Sequence, residues 1–158
     1  MKNTTLCYLE KDGAYLMLHR NKKENDENRD KWIGIGGKLK EGESPYDCAE
    51  REIKEESGLV VNSLFYRGIV TFVSDIYGTE YMHLFTSCDF SGEINSFCDE
   101  GELYWVEKER ISSLNVWEGD KIFLDLLQNE EDFFSLKLIY NGDKLIEHNV
   151  KLRKTTVI

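Results

Sequence analysis

Residues 37–59 read Gly37-Lys38-Leu39-Lys40-Glu41-Gly42-Glu43-Ser44-Pro45-Tyr46-Asp47-Cys48-Ala49-Glu50-Arg51-Glu52-Ile53-Lys54-Glu55-Glu56-Ser57-Gly58-Leu59. The stretch carries both the start and the stop of one helix. Ser44 is an N-cap, Pro45 suits a first helical position where no N–H is needed, and Asp47 stands where the acid of a capping box belongs. Gly58 supplies the left-handed stop after Ser57. The spacing therefore predicts a helix over 45–57. On it, Glu52, Glu55 and Glu56 fall within about 100° of the circumference. Carboxylates three and four residues apart repel by roughly 0.2–0.5 kcal/mol per pair. A hard cation on that stripe would turn repulsion into ligation, and oxygen ligands suit Mg²⁺. A solvated acidic face is the other reading of the same three residues.

The surroundings decide between the two. Gly37, Glu43, Arg51, Glu52, Glu55, Glu56 and Gly58, with aliphatic Ile53 and Leu59, follow the pattern G-x5-E-x7-R-E-U-x-E-E-x-G-U, where U is aliphatic. At every constrained position the run resembles the Nudix box. The resemblance implies an α/β/α sandwich with a mixed β-sheet and hydrolysis of a nucleoside diphosphate linked to another moiety. It further implies Mg²⁺, with Mn²⁺ as a substitute, held by Glu52, Glu55 and Glu56 with the Gly37 carbonyl. Arg51 would pair with Glu43 or a helix glutamate, and Gly37 and Gly58 would allow the turns at the helix ends.

Outward from the helix, residues 4–10 and 14–20 read as strands joined at Lys11-Asp12-Gly13. Residues 21–31 are polar without apolar periodicity and read as a mobile loop. Strands are expected at 64–75, 80–90 and 102–107, a helix at 120–128, and a hairpin of 134–140 with 144–152 about Asn141-Gly142-Asp143. This order is not a strict βαβ alternation. It predicts an α/β or α+β arrangement, a mixed sheet flanked by helices, in one domain over 1–158 with no linker or internal repeat.

The 158 residues carry a formal charge of −10, which argues against a nucleic-acid polymer as partner. An acidic chain still accepts an anionic nucleotide if divalent cations stand between them. No stretch approaches the roughly 20 apolar residues of a membrane span, and the first residues lack the apolar core of a signal peptide. Cys7, Cys48, Cys88 and Cys98 lie far apart and read as reduced thiols of a cytoplasmic protein.

The likeness continues beyond the box. Trp32-Ile33-Gly34-Ile35-Gly36-Gly37-Lys38, Leu18-His19-Arg20-Asn21-Lys22-Lys23, Val116-Trp117-Glu118-Gly119-Asp120 and the stretch 133–150 resemble the MutT-like purine triphosphatases of that family. Those enzymes convert oxidised purine nucleotides such as 8-oxo-dGTP to the monophosphate and pyrophosphate. The resemblance implies that Gly36, Gly37, Lys38 and Lys23 meet the substrate, and that Trp117 and Asp120 hold the base. Read from the residues alone, Trp117 either stacks on a purine or closes the core, and Asp120 either meets the base edge or caps a helix. Lys22 and Lys23 fit phosphate contact or plain solvation. Of Asp99, Glu100 and Glu102, Glu100 is the acid expected to assist the metal or the water. A pterin triphosphate, a nucleotide sugar, or a non-catalytic nucleotide-binding role remain alternatives, because the box reports only the diphosphate chemistry. Ile33 and Gly119 depart from better-studied animal members, which place polar side chains there.

Overall fold

The structure is a computed structural model describing residues 1–95 and 97–152. Its elements run β1 (Lys2–Lys11), β2 (Ala14–His19), β3 (Trp32–Ile33), α1 (Pro45–Ser57), β4 (Val60–Ser74), β5 (Gly78–Ser91), β6 (Phe97–Cys98), β7 (Gly101–Glu107), a 3₁₀ turn at Lys108–Ser113, α2 (Glu118–Asn129), β8 (Phe134–Asn141) and β9 (Lys144–Leu152). The strands form a mixed sheet in the order β6-β7-β2-β1-β5-β4-β8-β9, with β3 beside β2. β1 runs parallel to β5 and β4 parallel to β8, while the other neighbours are antiparallel.

Strand alternation explains the layers. Along β1, Leu6 and Tyr8 point into a core with Phe123, Leu124 and Leu127 of α2. Cys7 and Leu9 point the other way, into a core with Ala49 and Ile53 of α1. β2 divides likewise, Tyr15 and Met17 to the first core and Leu16 and Leu18 to the second. A sheet buried on both faces needs a cover on each, and one helix supplies each cover. This is the expected sandwich.

The helix ends also follow the sequence. Ser44 accepts the Asp47 N–H while the Asp47 carboxylate accepts the Ser44 N–H, and Gly58 closes α1 at φ 82°. Two short strands, β3 and β6, escape the sequence reading because two residues are too few to show a period. Residues 21–31 form the expected loop. They lack regular structure but are pinned at both ends and in the middle. The Arg20 Nε donates to Asp26 Oδ2 at 2.6 Å, the Arg20 N–H to the Lys31 carbonyl at 2.9 Å, and the Trp117 indole to Asn28 Oδ1 at 2.8 Å. Among the described residues no helix is long and apolar enough to cross a membrane, and Cys7, Cys48, Cys88 and Cys98 are free thiols.

The β4–β8 pairing rests on a close approach at Gly68, which lies opposite Phe134. A Cβ on Gly68 would stand 2.5 Å from the Phe134 carbonyl oxygen and 2.9 Å from its ring. Gly68→Ala should therefore destabilise the fold by about 1–3 kcal/mol through overpacking. At roughly 2–4 °C per kcal/mol the melting temperature should fall by several degrees. An unchanged melting temperature in calorimetry would show that the two strands separate without cost.

Candidate active site

Helix α1 turns Cys48, Ala49, Ile53, Glu56 and Ser57 toward the protein interior. Glu56 is thus three residues beyond Ile53 on the buried stripe, although it is an acid. Its residue exposure is 8%, and Oε2 has no hydrogen-bond partner among the described residues. Burial pushes its carboxyl well above the usual range, and the nearby charges of Glu100 and Glu52 push the same way. The three glutamates of the helix are consequently not equivalent. Glu56 is buried, Glu52 half-buried, and the Glu55 side chain 54% exposed.

Arg51 organises the outer two. Its guanidinium takes Glu43 in a fork, at 2.7 Å from Nε and 2.8 Å from Nη2. Nη1 donates to Glu52 at 2.7 Å and Glu55 at 3.3 Å, and Nη2 to the Lys38 carbonyl at 3.1 Å. The Arg51 hydrogen bonds, with the Lys40 N–H, hold the Glu43 carboxyl down at about 2. A fork of this kind fixes direction as well as charge. It ties the loop before α1 to the helix itself. Because Glu52 and Glu55 lean on Arg51, no ready-made cluster of metal ligands is drawn together among the described residues.

Gly37 lies directly against Glu52, since a Cβ there would stand 2.5 Å from Glu52 Oε1. The Gly37 carbonyl accepts the Thr5 N–H at 2.9 Å and a long contact of 3.6 Å from the Cys48 thiol. Gly36 presses on β1 even more closely, with a Cβ position 1.8 Å from the Thr5 carbonyl oxygen. Only glycines let this segment lie so near both β1 and the helix.

A cavity of about 490 Å³ opens over this arrangement. Its wall includes Gly36, Gly37, Lys38, Arg51, Glu52 and Glu100 together with Ile33, Phe72, Met82, Trp117 and Asp120. Glu100 is held by Arg20 Nη1 at 3.0 Å, and the same guanidinium holds Asp26 of the pinned loop. Lys23 stands 3.8 Å from Glu100 with a half-exposed side chain and is not part of the cavity wall. Lys22 donates to the Cys98 carbonyl at 3.0 Å.

Trp117 both packs and lines the cavity. It is 7% exposed, meets Phe72 and Tyr140 edge-on at 5.8 and 5.2 Å, and has the Lys31 ammonium 4.9 Å from its ring centroid. Asp120 sits in the first turn of α2, whose N-cap is Trp117 rather than Asp120. Full burial raises the Asp120 carboxyl to about 8, against a lesser lowering by Lys31. At neutral pH it keeps its proton and can donate. Among the wall residues that sequence reasoning missed, with Phe72 and Met82, is an acid, Glu80 of β5. The signal was an acid two residues before Met82 and four before buried Leu84, on the face that period-two alternation turns inward.

The family profile of the NUDIX domain matches residues 2–127. An oxidized purine nucleoside triphosphate hydrolase of Danio rerio is 32% identical over 122 residues, which is 76% of this chain and 77% of that protein. The uncharacterized Nudix hydrolase YvcI of Bacillus subtilis (strain 168) is 29% identical over 131 residues, 80% of this chain and 79% of that one. A MutT protein from Bacillus halodurans has the same fold, with a TM-score of 0.85 over 95% of this chain and 97% of its own at 24% identity.

The buried acid makes a prediction for the metal-free protein. With its folded pKa raised, Glu56 keeps a proton that the unfolded chain releases near pH 4.5. Its contribution is fully present below that pH and is lost as pH rises toward the folded value, by at most about 1.4 kcal/mol per pH unit. Glu56→Gln removes this loss. In chelator, the melting temperature of Glu56→Gln minus that of wild type should grow steadily from pH 5 to pH 8. A difference that stays constant over this range would mean that Glu56 ionises freely in the fold.

Proposed function

Because the chain belongs to the Nudix hydrolase family, we propose that it hydrolyses an oxidised purine nucleoside triphosphate, 8-oxo-dGTP or a close relative, to the monophosphate and pyrophosphate. One observation carries the reading. A single cavity reaches from the Arg51–Glu52–Gly37 corner to a Trp117–Asp120 pair whose acid keeps its proton at neutral pH. The relative from Danio rerio, named for oxidized purine nucleoside triphosphates, supports the choice of base.

Nudix hydrolases use a divalent cation, and the donors here fit Mg²⁺. The unpartnered, buried Glu56 Oε2 is an oxygen that a cation would satisfy. Glu52 and Glu55 would complete the acidic side, and the Gly37 carbonyl would exchange its weak thiol contact for the ion. When bound, the ion supplies charge neutralisation on the phosphate oxygens. It also accounts for a polyanion approaching a chain of net charge −10.

The rest belongs to the protein's own groups. Lys38 and the backbone at Gly36 and Gly37 receive the phosphates, with Lys23 near the mouth through its place beside Glu100. Arg20 fixes the Glu100 carboxylate, and in this reading that carboxylate accepts a proton from the attacking water. Attack at the β phosphorus then leaves a monophosphate. Trp117 offers ring surface to the base, while its indole N–H, spent on Asn28, makes no contact with it. Asp120 donates its retained proton to an acceptor on the base edge. Ile33 contributes shape only, so polar reading of the base falls to few groups and related purines should be tolerated.

The test is kcat/KM with Mg²⁺ for 8-oxo-dGTP, dGTP, dATP and a pyrimidine triphosphate. The oxidised purine should lead, with normal purines behind it and the pyrimidine last. Equal values for dGTP and 8-oxo-dGTP would remove the oxidised-base claim. A leading pyrimidine would remove the purine role of Trp117 and Asp120 as well.

A further inference from the structure

Glu80 is a cavity-wall carboxyl with no task in the reading above. Glu80 lies directly opposite Phe72 in the β4–β5 pairing, and the Phe72 ring meets Trp117. Its side chain is only 16% exposed. Burial raises its pKa above the ordinary carboxylate range; the Thr4 hydroxyl opposes this, the Glu27 charge adds to it, and Lys2 and Lys38 oppose it in lesser degree. Compensation within the fold is thin. The Thr4 hydroxyl donates to Oε2 at 2.8 Å, while Oε1 has only the Lys2 ammonium at 4.0 Å, beyond hydrogen-bond length. Oε1 thus accepts no hydrogen bond among the described residues. A leucine or methionine would fill this inward strand position at no electrostatic cost, so the acid weakens the fold where it stands. Such a cost at a cavity wall marks a group kept for a ligand.

The neighbours say which part of the ligand it meets. Phe72, Met82 and Trp117 form the apolar surface that suits a flat base, and Glu80 projects from the same strand face as Met82. Asp120, protonated up to about pH 8, offers a donor to that base. Glu80 offers an acceptor. A guanine-type base presents the matching pair, a carbonyl acceptor and an amino donor, at its edge. The geometry points to Glu80 as a specificity-determining residue that accepts a hydrogen bond from the exocyclic amino group of the purine, an inference that rests on the purine triphosphatase reading.

The experiment compares 8-oxo-dGTP with 8-oxo-dITP, which lacks only the 2-amino group, in wild type, Glu80→Leu and Glu80→Gln. A hydrogen bond to a charged acceptor should give wild type about a tenfold to hundredfold preference in kcat/KM for the amino-bearing substrate. Glu80→Leu should lose that preference by falling on 8-oxo-dGTP alone, with its melting temperature unchanged or raised. Glu80→Gln keeps a carbonyl acceptor and should retain part of the preference. A Glu80→Leu variant that keeps the wild-type ratio, or falls equally on both substrates, overturns the inference. If wild type hydrolyses neither substrate, it is the hydrolase reading that fails. Calorimetric binding of 8-oxo-dGMP against 8-oxo-dIMP then decides Glu80 by the same ratio.

Discussion

The fork between Arg51 and Glu43 fixes where everything else in the site stands. Two parallel hydrogen bonds of 2.7 and 2.8 Å join the loop before α1 to the helix. The same guanidinium reaches Glu52, Glu55 and the Lys38 carbonyl. One cation therefore spaces three acids that would otherwise repel, and it pins the glycine segment whose backbone lies on β1. Glu56 escapes this arrangement. It faces inward, where after burial itself the Glu100 charge raises its carboxyl most and Arg20, not Arg51, opposes the rise. Arg51 neutralises the more exposed acids, while burial leaves Glu56 holding its proton in the metal-free protein.

Arg20 plays a related part across the cavity. It bonds Asp26, in the loop that carries Asn28, and it bonds Glu100, beside Glu56. Asn28 in turn holds the Trp117 indole. A continuous chain of hydrogen bonds thus runs from Trp117 through Asn28, Asp26 and Arg20 to Glu100. Arg20 thus ties Glu100 to the loop that holds the Trp117 indole, which gives a physical reason for that loop to be pinned.

Local chemistry was readable from the sequence and long-range contact was not. The limits of α1 were written in Ser44, Pro45, Asp47 and Gly58, because caps act over three or four residues. The partnership of Arg51 with Glu43 followed from the resemblance to the family motif. The unequal fates of Glu52, Glu55 and Glu56 did not follow from helical spacing, which places three residues on one stripe without saying where the sheet lies. Residues 21–31 looked mobile because their partners Asn115 and Trp117 are more than eighty residues away. Glu80 was overlooked for a similar reason. An acid in a strand reads as outward-facing until β1 and β4 are known to close around it.

The claim on which the account depends is that the lone buried oxygen of Glu56 is satisfied by a divalent cation. Titrating the protein with Mn²⁺ while following the free-ion signal by electron paramagnetic resonance tests this without substrate or turnover. Wild type should take up Mn²⁺ that excess Mg²⁺ displaces, and Glu56→Gln should weaken that uptake by tenfold or more, as expected for losing a charged oxygen ligand. Identical titration curves for the two proteins would contradict the account.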